Sequence, residues 1–314
     1  MSNNNRLLFV MTSPQLVTLK DGEGGSATIA PGLGGWLLRY SREFVAHGRV
    51  EALHFDPAVI ERYPREMYAG SPVLFPLASF NHVPGRDHHY EWQGRTYEML
   101  QHGFARRHPW TVLDQTDASV TIELTDSEAT LAQFPFEFSL QLTYRLAGGR
   151  LFWQQKVINR SPDPLPFTTG FHPYFAVPLA PRGLRSECFV EIPDCRRLTM
   201  HGRGDQFTVK PFPSQNWSVA EDVSMTLFLS DLKRRELVLV DPISELEVAL
   251  DWRDAPAFRF VAIWSKSTEA PFYCLEPWTA VSNPFTRVKD RELIVLEPGK
   301  DFEAAFRMEL RETP

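Results

Sequence analysis

Apolar and polar residues alternate with period two along much of the chain, the pattern of strands that bury one face. Val120, Ile122 and Leu124 alternate with Thr121, Glu123 and Thr125; Phe138, Leu140, Leu142, Tyr144 and Leu146 then share one face of the next strand. After Ala147, the pair Gly148-Gly149 can supply the positive φ of a tight turn, which predicts a hairpin partner over 151–159. A second pair, 236–241 with 245–252, turns at Pro242, and 258–264 reads as a further strand. Helical periodicity is scarce: short helices are predicted only near 57–62 and 126–133. Residues 179–219 read as a turn-rich excursion. The 25 prolines are scattered rather than gathered into a linker. The pattern predicts one all-β domain over 1–314, a large antiparallel β-sandwich with few short helices.

At 314 residues, the chain can bury a sizeable core, and 43% hydrophobic against 23% charged residues is the balance of an ordinary globular protein. Basic residues number 33 and acidic residues 39, and no basic stripe is visible, which argues against nucleic acid as a partner. Cys188, Cys195 and Cys274 are odd in number and lack C-x-x-C spacing, which points to a reducing, cytoplasmic setting. The apolar run 7–11 is too short for a signal core. No later run approaches the ~20 residues of a membrane helix. Export and membrane insertion are not expected, and the sequons at Asn159 and Asn216 are expected to go unused. Nothing in the sequence points to an oligomeric state.

Three segments set polar residues inside apolar, proline-marked surroundings: 101–110 (QHGFARRHPW), 167–175 (FTTGFHPYF) and 272–278 (FYCLEPW). His172 and Glu276 each directly precede a proline, which holds the preceding residue in an extended conformation. Both side chains are therefore candidates for rigid presentation at strand ends. A lone histidine in an apolar run is usually structural. A carboxylate between Leu275 and Pro277 is harder to dismiss, since burying it is costly unless it is paired or functional.

Together the three segments resemble the galactose mutarotase-like superfamily of aldose 1-epimerases and hexose-6-phosphate mutarotases. The resemblance extends in order over roughly residues 25–310, through 70–76 (GSPVLFP), the hairpin-like 90–97 and the paired strands from Leu140 to Ser161. It implies the fold of that superfamily, a β-supersandwich. It also implies that His172 donates a proton to the ring oxygen O5 and that Glu276 takes the proton of the C1 hydroxyl. His102 and Arg106 would bind the sugar. A binding aspartate is expected between His172 and Glu276, with Asp222 the choice and Asp231 its rival. An arginine usual after the Leu-Phe-Pro segment is missing, and Arg86 in the following loop is a candidate substitute.

The implied reaction opens and recloses the C1–O5 bond and needs no metal, redox cofactor or covalent nucleophile. A carboxylate base and a histidinium acid coexist only within a window of pH, which predicts a bell-shaped profile. The expected partner is a small-molecule aldose, with an unphosphorylated sugar favoured and a hexose 6-phosphate as the alternative. A non-catalytic sugar-binding or sugar-sensing sandwich is the reading from another class. A cupin-type metal isomerase is disfavoured because the adjacent His88 and His89 point to opposite faces of a strand. A glycosidase is disfavoured because the three segments supply one carboxylate where two are needed.

Overall fold

The computed structural model describes residues 15–287 and 292–313; the 7–11 run lies outside them. Two large antiparallel sheets dominate. The nine-stranded sheet runs in the order Thr111–Gln115, Ser119–Thr125, Phe138–Ala147, Arg150–Asn159, Asp301–Glu312, Leu246–Asp251, Glu236–Asp241, Phe189–Ile192, Gln215–Ser218. Its central hairpin pairs Phe138 with Asn159 through Ala147 with Arg150. Gly148 and Gly149 turn it with φ of 62° and 71°, the left-handed pair that a two-residue turn requires.

The second large sheet runs Gln206–Phe212, Cys195–His201, Leu227–Ser230, Phe260–Trp264, Phe272–Trp278, Gly170–Phe171, Val73–Leu74, and Tyr174–Ala176 adds to it against Phe272–Trp278. A four-stranded meander, Val17–Lys20 to Gly48–Glu51, packs into the same core. The fold is a large antiparallel β-sandwich, as the strand pattern predicts. Among the described residues, α-helix is confined to the single turns Ala58–Arg62 and Glu128–Leu131, inside the two predicted regions.

The large sheets meet through aromatic side chains. Phe306 of the nine-stranded sheet has its ring centroid 5.2 Å from its neighbour Trp153, 4.9 Å from Phe171 of the other sheet and 4.7 Å from Phe258. Each such side chain contributes roughly 1.5–3 kcal/mol by leaving water.

The predicted excursion over 179–219 is corrected by the structure. It holds four strands, Phe189–Ile192, Cys195–His201, Gln206–Phe212 and Gln215–Ser218, which complete one edge of each large sheet. Cys195–His201 and Gln206–Phe212, the last two strands of their sheet, keep most side chains exposed, so no clean apolar alternation marked them.

Candidate active site

One face of the second sheet packs on the first; the other walls a cavity. Tyr273 and Leu275 join the main core, whereas Cys274, Glu276 and Trp278 of the same strand face the opposite way, where Trp278 clusters with Phe228, Phe260 and Ala262. Glu276 pairs across the sheet with Ala262, whose small side chain leaves room above the carboxylate.

On the other side of this strand, Gly170 pairs with Trp278 and Tyr174 with Cys274. Two residues inward from either pair, His172 falls opposite Glu276. Pro173 has no N–H to continue the ladder, and the His172 amide donates instead to the Pro72 carbonyl at 3.1 Å. The two pre-proline residues thus meet: His172 Nε2 lies 3.3 Å from Glu276 Oε2, both side chains almost wholly buried. Tyr174 stacks on His172 at 4.5 Å with the rings nearly parallel, and the Tyr174 hydroxyl is 3.4 Å from His172 Nε2. Trp264 meets the same imidazole edge-on at 5.9 Å.

His102 arrives from the loop beneath Val73–Leu74. His102 and Gly103 both take positive φ, 66° and 67°, and a Cβ on Gly103 would lie 2.2 Å from the Phe75 carbonyl oxygen. This turn sets the His102 ring 5.5 Å from His172. Its Nδ1–H donates to the Ala78 carbonyl at 2.7 Å, and Nε2 accepts from the Gln101 amide at 3.2 Å. Those two bonds select the neutral tautomer.

Burial pushes the Glu276 carboxyl well above the usual range, partly opposed by the Arg106 charge. Burial, and then Arg106, push the His172 imidazole well below its ordinary value. His102 is lowered by the same causes. The Arg106 guanidinium, pushed down to about 10 by burial and then by Arg107, donates at 3.4 Å to the Gln101 carbonyl and leaves its Nε unpartnered.

The cavity above these groups has a volume of about 560 Å³. His102, His172, Glu276 and Arg106 all line it, so four residues singled out in the sequence converge. Asp222 does not line it. That exposed carboxylate closes a local turn by accepting from the Ser224 amide at 2.9 Å, and this stretch of chain reaches the wall only from Ser224 to Phe228. Asp231 lies beside a different, larger cavity of about 990 Å³ with Arg259 and Phe260, and its carboxylate is 3.7 Å from Arg196. Arg86 sits in an exposed two-residue strand away from the site.

Sequence reasoning missed Arg65 and Arg197, which line the cavity with Arg106 and Arg107. None of the four has a carboxylate within ion-pair distance among the described residues, and Glu276 is the only carboxylate among the lining residues. Arg197 lies in the region whose strands carried no pattern. Tyr174, two residues after His172, had a sequence signal in the same His-Pro-Tyr-Phe run.

The sequence pattern of the aldose 1-epimerase family matches residues 15–309. The chain belongs to that family. Protein LacX (chromosomal) of Lactococcus lactis subsp. lactis is 28% identical over 227 residues, covering 68% of this chain and 74% of that one. YphB of Escherichia coli strain K12, of uncharacterised function, is 23% identical over 253 residues, covering 72% and 79%. Among solved structures, a galactose mutarotase related enzyme from Lactobacillus acidophilus superposes with a TM-score of 0.78 at 24% identity, covering 95% of this chain and 98% of that one. The Slr1438 protein of Synechocystis sp. PCC 6803 gives 0.80 at 23% identity, with both chains fully covered. This aldose 1-epimerase family member shares their fold. No helix among its described residues is long and apolar enough to cross a membrane.

Proposed function

We propose that the protein is a single-domain cytoplasmic aldose 1-epimerase, with Glu276 as the base at the C1 hydroxyl and His172 as the acid at O5. The observation that carries this reading is the 3.3 Å approach of His172 Nε2 to Glu276 Oε2 on the wall of a sugar-sized cavity. The two oxygens that exchange protons in anomer interconversion are both bonded to C1. Their proton donor and acceptor must therefore stand side by side, within hydrogen-bond reach of geminal atoms. Glycosidase carboxylates instead flank the scissile bond at least ~5 Å apart.

The reaction needs one proton on the pair. Glu276 removes the C1–OH proton as His172 protonates O5, the C1–O5 bond breaks, and the free aldehyde forms. Glu276 then carries the proton and His172 is neutral, which is the arrangement that burial of both groups favours. Rotation about C1–C2 presents the other carbonyl face, and both transfers run backwards to close the second anomer. His102, held as a neutral acceptor–donor ring, orients the hydroxyls near C1, and Tyr174 holds the His172 plane.

An anionic aldose, such as a sugar phosphate, fits this cavity better than a neutral one, and Arg65, Arg106, Arg107 and Arg197 support that reading. Unpaired guanidinium groups are matched to phosphate by charge-assisted, bidentate hydrogen bonds. This reverses the preference for an unphosphorylated sugar drawn from the sequence.

Polarimetry tests the proposal directly. Fresh α-D-glucose, α-D-galactose and α-D-glucose 6-phosphate should mutarotate faster with the protein, and the phosphate ester fastest. Tight binding of all three without acceleration would make the protein a sugar sensor instead.

A further inference from the structure

The strand that bears Glu276 carries a free thiol, Cys274, on the same face. Cys274 and Glu276 lie two residues apart on Phe272–Trp278, so the pleat turns both toward the cavity side, with His172 opposite Glu276 and Tyr174 opposite Cys274. One ligand atom from each of His172, Cys274 and Glu276 lies within 4.8 Å of the others, and all three residues are buried. Cys274 takes no part in the proton transfers above and does not line the cavity. Its thiol is free.

Two details of this cluster match a cation. His172 Nε2 and Glu276 Oε2 are 3.3 Å apart; two ligands bonded at about 2.0–2.1 Å to a tetrahedral zinc ion stand about 3.3 Å apart as well. Glu276 Oε2 is also a buried acceptor with no hydrogen-bond donor, and a bound cation would satisfy it.

We propose that His172, Cys274 and Glu276 form a binding site for a divalent cation of the zinc class, which occupies the place of the sugar's reacting end. Thiolate and imidazole ligands select zinc over magnesium or calcium. Three protein ligands leave a fourth position open, on the cavity side. Binding forms one bond each to Sγ, Nε2 and a carboxylate oxygen. The thiol proton and the single proton carried by the His172–Glu276 pair leave to solvent, and no electrons transfer. The charges balance: a divalent cation with one thiolate and one carboxylate is neutral, as is the empty protonated cluster. Arg106 therefore opposes the loaded site little more than the empty one. A loaded site has no proton to move, so the cation inhibits epimerisation; that consequence rests on the function proposed above, whereas the binding itself does not.

The test uses the full-length protein with cobalt(II) and zinc. Cobalt should give a thiolate-to-cobalt charge-transfer band at one equivalent, absent in Cys274→Ser. A Cys188→Ser, Cys195→Ser double variant should keep the band, which preserves the test if Cys274→Ser does not fold. Equilibrium dialysis should show zinc affinity reduced at least about tenfold in Cys274→Ser and in Glu276→Gln. Zinc should suppress mutarotation by the unmutated protein and spare Cys274→Ser. The absence of a charge-transfer band, or a band that survives Cys274→Ser, would overturn the site. A protein that shows the band and the zinc binding but never mutarotates a sugar would retain the cation site and lose the epimerase reading.

Discussion

Two side chains, His172 and Glu276, carry the proposed chemistry, and their environment determines how they titrate. In solution the carboxyl is the stronger acid of the two. Here burial raises Glu276 and lowers His172, so the single proton of the pair moves toward the carboxyl. The acid limb of a pH profile in kcat/KM then belongs to His172: below its value both groups are protonated and no base remains. The alkaline limb belongs to Glu276: above its value both are bare and no acid remains. In infrared difference spectra recorded across the pH range, a protonated-carboxyl band that vanishes in Glu276→Gln should persist to higher pH than that of an exposed carboxyl. An ionised Glu276 throughout that range would refute this ordering. Glu276→Gln and His172→Asn should each lower mutarotation by roughly 10²–10⁴-fold, the usual worth of one positioned proton transfer, as read by polarimetry. Glu276→Gln should also stabilise the fold. The native carboxyl has a raised folded value, so its contribution to stability is lost as pH rises from the unfolded value through the folded one. The gain in Tm of the variant should accordingly be larger at pH 8 than at pH 5.

Each of these side chains is held by an element whose shape comes from neighbouring residues. The pre-proline positions of His172 and Glu276 were legible in the sequence because proline restricts the residue before it whatever the fold. Their mutual register was not, since it depends on pairing between strands about a hundred residues apart. His102 depends on the turn at Gly103, where a Cβ would meet the Phe75 carbonyl. Gly103→Ala should therefore cost about 1–3 kcal/mol from the strained φ alone, and more from the clash, measured by denaturant unfolding. In the protein that still folds, KM should rise as His102 moves away from the sugar. A variant with unchanged stability and unchanged KM would show that this turn does not position His102. The strands within 179–219 were illegible for a different reason. The edge strand Gln206–Phe212 and its neighbour Cys195–His201 keep most side chains in water, so the alternation that reveals an inner strand is weak there.

Over the whole molecule, a net charge of −6 conceals a cavity of opposite sign. Four unpaired arginines against one buried carboxylate should draw in an anionic sugar, so kcat/KM for glucose 6-phosphate should fall steeply with ionic strength while that for glucose stays nearly flat. Arg197→Gln, which removes a lining charge that does not act on His172 or Glu276, should remove roughly 1.5–3 kcal/mol of binding to the phosphorylated sugar, about ten- to a hundredfold in kcat/KM, and little from the neutral one. Equal salt slopes for the two sugars would show that the arginines do not meet the substrate. Composition could not reveal this, because it counts charges without locating them. By itself the sequence determined much of the strand pattern, the antiparallel sandwich and the pre-proline positions of His172 and Glu276, all of which follow from local sterics and from which positions tolerate water; that Glu276 sits within the strand Phe272–Trp278 rather than at its end was not among them. Only the tertiary structure decided which charges share a cavity, that Asp222 and Asp231 stand outside it, and that Cys274 lies beside His172 and Glu276. Those facts depend on the alignment of strands distant in sequence, and that alignment is settled by burial of the common core.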